Sequence, residues 1–354
     1  MRRLLFLLHG VGVHGAGWAD EPGGPAAVLR EASARYGAFK KRPLDARVRL
    51  VPLSYADILD DAAARWRKAA LDGAKRAADG AEGAARRAGD FLRQAPWLAR
   101  AADALEEGAA KLKPWAEKLS ELPELAELAR HLPAIDAAWP DHAADVAAWR
   151  ADARCRDEVR RHVGAALRTT LLPLAEDGVP VTAVFAAHSL GTAVAHDVLD
   201  ELGRRWLTTR GSFSPRRWRW RAAFMLADVS RLLAVGGPES LLRSGPERDP
   251  ASWVRRLYEV RHAWDPIDRA VPKADALLRG AIRLDVGHAW RANVHSFGHY
   301  LEHPAVHVPL LRAAAGSGSV TRAEEEAALA EAAARPSVVG EATQRVKKLL
   351  DRKT

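Results

Sequence analysis

Among 354 residues there is one cysteine, Cys155. That excludes an internal disulfide framework and a cysteine-based zinc site. Long apolar runs are missing too: none approaches the ~18–20 residues that a helical membrane span needs, and the mean hydropathy is −0.22. No charge sign dominates strongly. Lys plus Arg is 54 and Asp plus Glu is 45, a balance of +9 with arginine as the main cation. That excess suits anionic membrane surfaces, acidic substrates or nucleic acid and selects none of them. What is present is core-forming material. Hydrophobic residues make up 48% and charged residues 28%, which fits a globular chain and not a disordered one. At roughly 150 residues per domain the length allows about two domains, or one large domain with an insertion.

Met1-Arg2-Arg3 followed by Leu4–Leu8 has the look of a secretory leader. The apolar run is shorter than the ~7–15 residues of such a leader and ends in His9-Gly10 without a small-residue cleavage site. It reads instead as a buried strand, with a cytoplasmic location as the expectation. Val48–Leu53, Val179–Ala187, Ala222–Leu226 and Leu257–Val260 are the further strand candidates. Helical stretches separate them, which implies an α/β fold: a mostly parallel central sheet with helices on both faces.

From Ala56 to about Leu132 the chain becomes rich in alanine and interspersed charge, with few large apolar anchors, and reads as helices punctuated by Pro96, Pro114, Pro123 and Pro133. Asp145–Leu172 carries a better amphipathic pattern. Near the C-terminus, Gly316-Ser317-Gly318-Ser319 reads as a flexible linker, and Thr321-x-x-Glu324 as a capping box opening an Ala/Glu helix.

The chemistry concentrates at Ala187-His188-Ser189-Leu190-Gly191. A serine at a sharp strand-to-helix turn needs small residues two before and two after it, because a larger side chain would strike neighbouring backbone. Ala187 stands where glycine is more usual. An apolar strand precedes the turn and an amphipathic helix follows, as that motif requires. An exposed hydroxyl there also needs donors for a developing oxyanion. The backbone N–H of Leu190 is one candidate; that of Val11, in the glycine-rich turn His9-Gly10-Val11-Gly12, is the other.

In this pattern an acid and then a histidine follow the serine. Asp265, in Trp264-Asp265-Pro266 after a strand, is the first candidate acid, with Asp228 and Asp268 as rivals. The segment 293–304 offers His299 as the first candidate base, His295 as the alternative, and His303. Hydrogen-bond reach decides among them.

These pieces together resemble the α/β-hydrolase superfamily, in its bacterial serine esterase or lipase-like form. They are His9-Gly10, the Ser189 turn, Asp265-Pro266 and the late histidine before Tyr300. The resemblance spans residues 3 to about 312. It implies a hydrolase domain over 1–312 with a helical insertion at about 56–140, and a linker and helical extension over 313–354. It also implies Ser189 as nucleophile, His299 as base and Asp265 as orienting acid, acting on a carboxylic ester through an acyl-enzyme without cofactor or metal. A lipid or acyl ester is favoured; a thioesterase, acyltransferase or amidase would share these residues, and the same scaffold without activity would serve as a binding protein.

Two further patterns invite other readings. His295, His299, His303 and His307 recur every four residues, a spacing that on one helix would suit a metal; Gly298, Pro304 and Pro309 oppose a continuous helix, so no metal is expected. The basic-aromatic run around Arg216, Trp218 and Trp220 suits a peripheral lipid-surface contact. Its alternative is a solvated loop with one Trp packed inward. No nucleic-acid-binding module is visible and the charge is dispersed. Oligomeric state is not legible.

Overall fold

The computed structural model describes residues 2–10, 15, 17–62, 64–65, 149, 152–177, 180–208, 218–230, 254–263, 265, 281–290 and 294–336. Contacts divide the chain into two compact units, 1–56 with 157–354, and 57–156. Little of the second unit is described, so the expected helical insertion lies almost wholly outside the described residues.

Among the described residues, the first unit is built on one six-stranded sheet in which every pairing is parallel. In chain order its strands are β1 (Arg2–Leu8), β2 (Arg49–Leu53), β3 (Val181–His188), β4 (Trp218–Leu226), β5 (Leu257–His262) and β6 (Ala281–Val286). Their spatial order is β2-β1-β3-β4-β5-β6. The chain leaves β1 for one side of the sheet and later returns to the other side as β3. The loops after these neighbouring strands therefore diverge, and a doubly wound sheet binds ligands at such a switch point. Pro52 is accommodated because β2 is an edge strand, where a missing ladder donor is tolerated. The sixth strand, β6, was not anticipated. Its burial does not alternate and Ile282 is exposed, as on an edge with no partner beyond it among the described residues.

Both faces of the central strands are buried, so they lack the hydrophobic alternation of a half-exposed sheet. Helices are named in chain order: α1 (Pro25–Ala34), α2 (Gly37–Lys41), α3 (Ala153–Glu176), α4 (Leu190–Thr208), α5 (Phe297–Glu302) and α6 (Pro304–Ala315). Leu5, Leu7, Val184, Ala186, Phe224 and Val260 share one core cluster with residues of α1 and α6. Leu4, Phe6, Leu8, Ala183 and Phe185 are buried as well. A register shift in β4 between the partners of Ala183 and Val184 sends Trp220 and Phe224 to opposite faces. Trp220 thereby packs edge-on against Phe6 and Phe185 at 5.5 and 5.7 Å between ring centroids.

That placement corrects the lipid-contact expectation for Trp220. At 1% exposure it is a core residue, because the bulge turns it inward. The side chains of Arg216 and Trp218 lie outside the described residues. Among the described residues, no helix is long and apolar enough to cross a membrane.

The expected flexible linker is also corrected. Ser317–Ser319 forms a 3-10 turn after Gly316, whose φ of 110° suits glycine. Ser319 is buried and its Oγ donates to Leu311 O at 3.2 Å. The capping box at Thr321 forms as its spacing predicts. The helix it opens, Arg322–Ala334, is tied back by Arg312–Glu325 at 2.6 Å and by Gly37 N–H donating to Glu324 Oε1 at 2.6 Å. Short polar residues suggested freedom; side-chain and backbone anchors remove it.

Candidate active site

Ser189 follows β3 and precedes α4 (Leu190–Thr208). Its φ is 53°, a left-handed conformation that costs a non-glycine residue of order 1–3 kcal/mol and persists only where its surroundings enforce it. The enforcement is visible. Ser189 N–H donates to Leu226 O at 2.9 Å on the neighbouring strand. Thr192 Oγ1 donates to Ser189 O at 2.7 Å and accepts from Val229 N–H at 3.1 Å.

The turn also requires two glycines. A Cβ on Gly191 would lie 2.1 Å from His9 O, and one on Gly10 would lie 2.7 Å from Ser189 Cβ. The chain leaving β1 thus presses directly on the elbow, which explains both glycines as close-approach positions.

That chain is itself pinned. His9 Nδ1–H donates to Gly10 O at 2.6 Å, since a carbonyl can only accept. Its Nε2 is then the acceptor, facing Ser54 Oγ at 3.1 Å and Tyr55 N–H at 3.3 Å. The Tyr55 hydroxyl shares its proton between His9 O at 2.9 Å and Gly10 O at 3.1 Å. Val11, the expected second oxyanion donor, lies outside the described residues. Leu190 opens α4, where backbone N–H groups have no intrahelical partner.

His295 lies between the serine and the acid. Its Nδ1–H donates to Asp265 Oδ2 at 2.7 Å, and its Nε2 faces Ser189 Oγ at 3.1 Å. Asp265 is fully buried, and its Oδ2 accepts a second hydrogen bond, from the Tyr300 hydroxyl at 2.6 Å. The His188 ring lies 4.7 Å from that of His295 and stacks on Phe297 at 5.4 Å. Hydroxyl, imidazole and carboxylate therefore stand in the order that general-base activation of an alcohol needs.

The first-choice histidine is displaced. His299 does not face Ser189; its Nε2 lies 3.2 Å from His262 Nε2 in the interior. The reason is local. The Ser296 side chain accepts from His299 N–H and caps α5 (Phe297–Glu302), which puts His299 inside the helix and buries it. His295 precedes the cap, where its ring can turn to the elbow. Reading Ser296 as an N-cap was the available signal. The rival acid Asp228 accepts from Ser230 N–H at 2.8 Å and forms its own turn. Asp268 lies outside the described residues. Tyr300, Tyr55 and Thr192 carried no motif, and only their contacts identify them.

Behind Asp265, three histidines cluster. His262 ends β5, and the Asp265 N–H donates to its carbonyl at 3.0 Å. His262, His299 and His303 are all buried. Burial holds His262 below the usual imidazole range and pushes His303 down to about 2, with the neighbouring histidines adding to the latter. Comparison with protein-family models, curated proteins and solved structures found no match to this chain.

Proposed function

We propose that the chain is a serine hydrolase of the α/β-hydrolase type that cleaves a carboxylic ester through an acyl-enzyme on Ser189. The observation that carries this reading is the unbroken link from Ser189 Oγ to His295 Nε2 and from His295 Nδ1 to Asp265 Oδ2, at 3.1 and 2.7 Å. The strand order supports it. The serine follows the third strand of a parallel sheet, the acid the fifth and the histidine the sixth, the serine–acid–histidine order of that superfamily.

In this reading His295 takes the Ser189 proton as the hydroxyl oxygen attacks the carbonyl carbon. Asp265 holds the imidazole with Nδ1 protonated and stabilises the imidazolium that forms. The oxyanion meets the Leu190 N–H and a donor from the chain after Gly10. His295 then returns the proton to the departing alkoxide, and a water activated by His295 releases the acid. The strained backbone at Ser189 presents Oγ at the switch point instead of burying it in a helix. An acyl or lipid ester is the favoured substrate class, and p-nitrophenyl esters of graded chain length measure that preference directly.

The test of the mechanism is covalent labelling with a fluorophosphonate. Wild type should label at one residue, and Ser189→Ala should not label at all. His295→Ala should slow labelling by roughly 10⁴-fold or more. A folded wild-type protein that does not react, or labelling that persists in Ser189→Ala, rejects the proposal.

A further inference from the structure

We propose that His262, His299 and His303 form a buried site for a divalent transition-metal ion of the zinc class, fastening the end of β5 to the helices that follow His295. Each histidine offers one ring nitrogen, and the three nitrogens lie within 4.8 Å of one another. Imidazole nitrogens on a tetrahedral zinc, each bonded at about 2.0–2.1 Å, stand roughly 3.3 Å apart. The His262 and His299 Nε2 atoms, at 3.2 Å, already have that separation. Side-chain rotation has only to draw in the third.

A hydrogen-bonded core of neutral histidines accounts for less of this arrangement. His262 Nε2 also faces His288 O at 3.1 Å, so without an ion one N–H serves both that carbonyl and His299, and ligation through Nε2 moves that proton to Nδ1. His303 Nε2 is buried with no hydrogen-bond partner among the described residues. A buried polar atom left without a partner is destabilising. A cation would use it. His299 presents Nε2 to His262 and Nδ1 to Glu302, whose Oε2 is 3.9 Å away. An imidazole that ligates through one nitrogen and faces a carboxylate with the other has the outer-shell arrangement that orients metal-bound histidine.

The cluster is shielded, since Trp290 stacks on the His303 ring at 4.0 Å and 15°. An all-imidazole set suits Zn²⁺, Co²⁺, Ni²⁺ or Cu²⁺ and not the oxygen-seeking Mg²⁺ or Ca²⁺.

The four-residue histidine spacing does not form this site by itself. His295 faces Ser189, and His307 donates through Nδ1 to Leu301 O and accepts from the Tyr36 hydroxyl. The third ligand comes from β5. The ion would therefore brace the Asp265 turn against α5, which also carries Tyr300.

The test uses the untagged full chain, stripped with chelator and titrated with Co²⁺ and, separately, Zn²⁺. About one Co²⁺ per chain should bind with the intense visible d–d absorption of a low-coordinate site. His299→Gln and His303→Gln should each weaken binding by about 10-fold or more and dim that band. Saturating Zn²⁺ should raise the melting temperature of wild type, a readout that stands even where a variant fails to fold. Binding below about 0.1 Co²⁺ per chain with no Zn²⁺-induced shift overturns the proposal, as does an undiminished band in both variants.

Discussion

Replacing Asp265 by Asn separates two ways in which the acid could serve His295. Both donors, His295 Nδ1–H at 2.7 Å and the Tyr300 hydroxyl at 2.6 Å, meet the same oxygen, Oδ2. An asparagine that places its amide oxygen there keeps both hydrogen bonds. An amide NH₂ in that position would confront two donors and force His295 to the tautomer with Nε2 protonated, which cannot take the Ser189 proton. The paired donors therefore select the oxygen, and the variant loses charge while keeping the tautomer. A hydrogen bond to a charged acceptor contributes roughly 1.5–3 kcal/mol, about twice a neutral one. Losing about half of that corresponds to about 4–13-fold in rate. A reversed tautomer would instead cost about 10⁴-fold. Adding Tyr300→Phe removes the donor that pins the amide oxygen. The double variant should then fall toward about 10⁴-fold, well beyond the product of the two single losses. The assay is the second-order rate of fluorophosphonate labelling, with near-ultraviolet circular dichroism as the fold control. A loss near 10⁴-fold in Asp265→Asn alone, or a double variant equal to the product of the singles, refutes the shared-oxygen reasoning.

Gly191→Ala would place Cβ 2.1 Å from His9 O, a backbone atom that cannot swing aside. A loss of roughly 2–4 kcal/mol in urea unfolding is expected, together with slower labelling, and an unchanged midpoint would contradict the close approach. His307 is buried with its pKa pushed down to about 4 by desolvation. Between that value and the unfolded value of about 6.5 the unfolded chain binds the extra proton, so stability is fully present above this window and falls as pH drops through it. The loss is roughly 3 kcal/mol. His307→Gln, whose amide can give to Leu301 O and accept from Tyr36, should flatten that part of the unfolding free-energy curve relative to wild type; parallel curves would rule His307 out as the source.

Much of the fold and part of the site were legible from residue patterns. Apolar runs without alternation marked β1, β3, β4 and β5, because parallel strands buried on both faces need no polar side. The edge strand β6 escaped, because half of its residues meet solvent and its pattern is diluted. Small residues around Ser189 marked the elbow, since the turn has no room for others, and Asp265-Pro266 marked the acid loop. The choice between His295 and His299 was not legible from spacing. It depends on where α5 begins and which way each ring then points.

What the sequence by itself determined is local: a parallel α/β sheet, a serine at a constrained turn, and an acid and a group of histidines in the order that one kind of chemistry uses. These follow from side-chain volume, hydrophobic period and backbone sterics within a few residues. Only the tertiary structure decided which histidine faces Ser189, that Tyr300 shares the Asp265 oxygen, that Trp220 belongs to the core, and that His262 joins His299 and His303. Each of those pairings joins segments far apart in the chain. A strand's register, a bulge or a helix cap can reverse the direction of a side chain, and residue type alone does not record that direction.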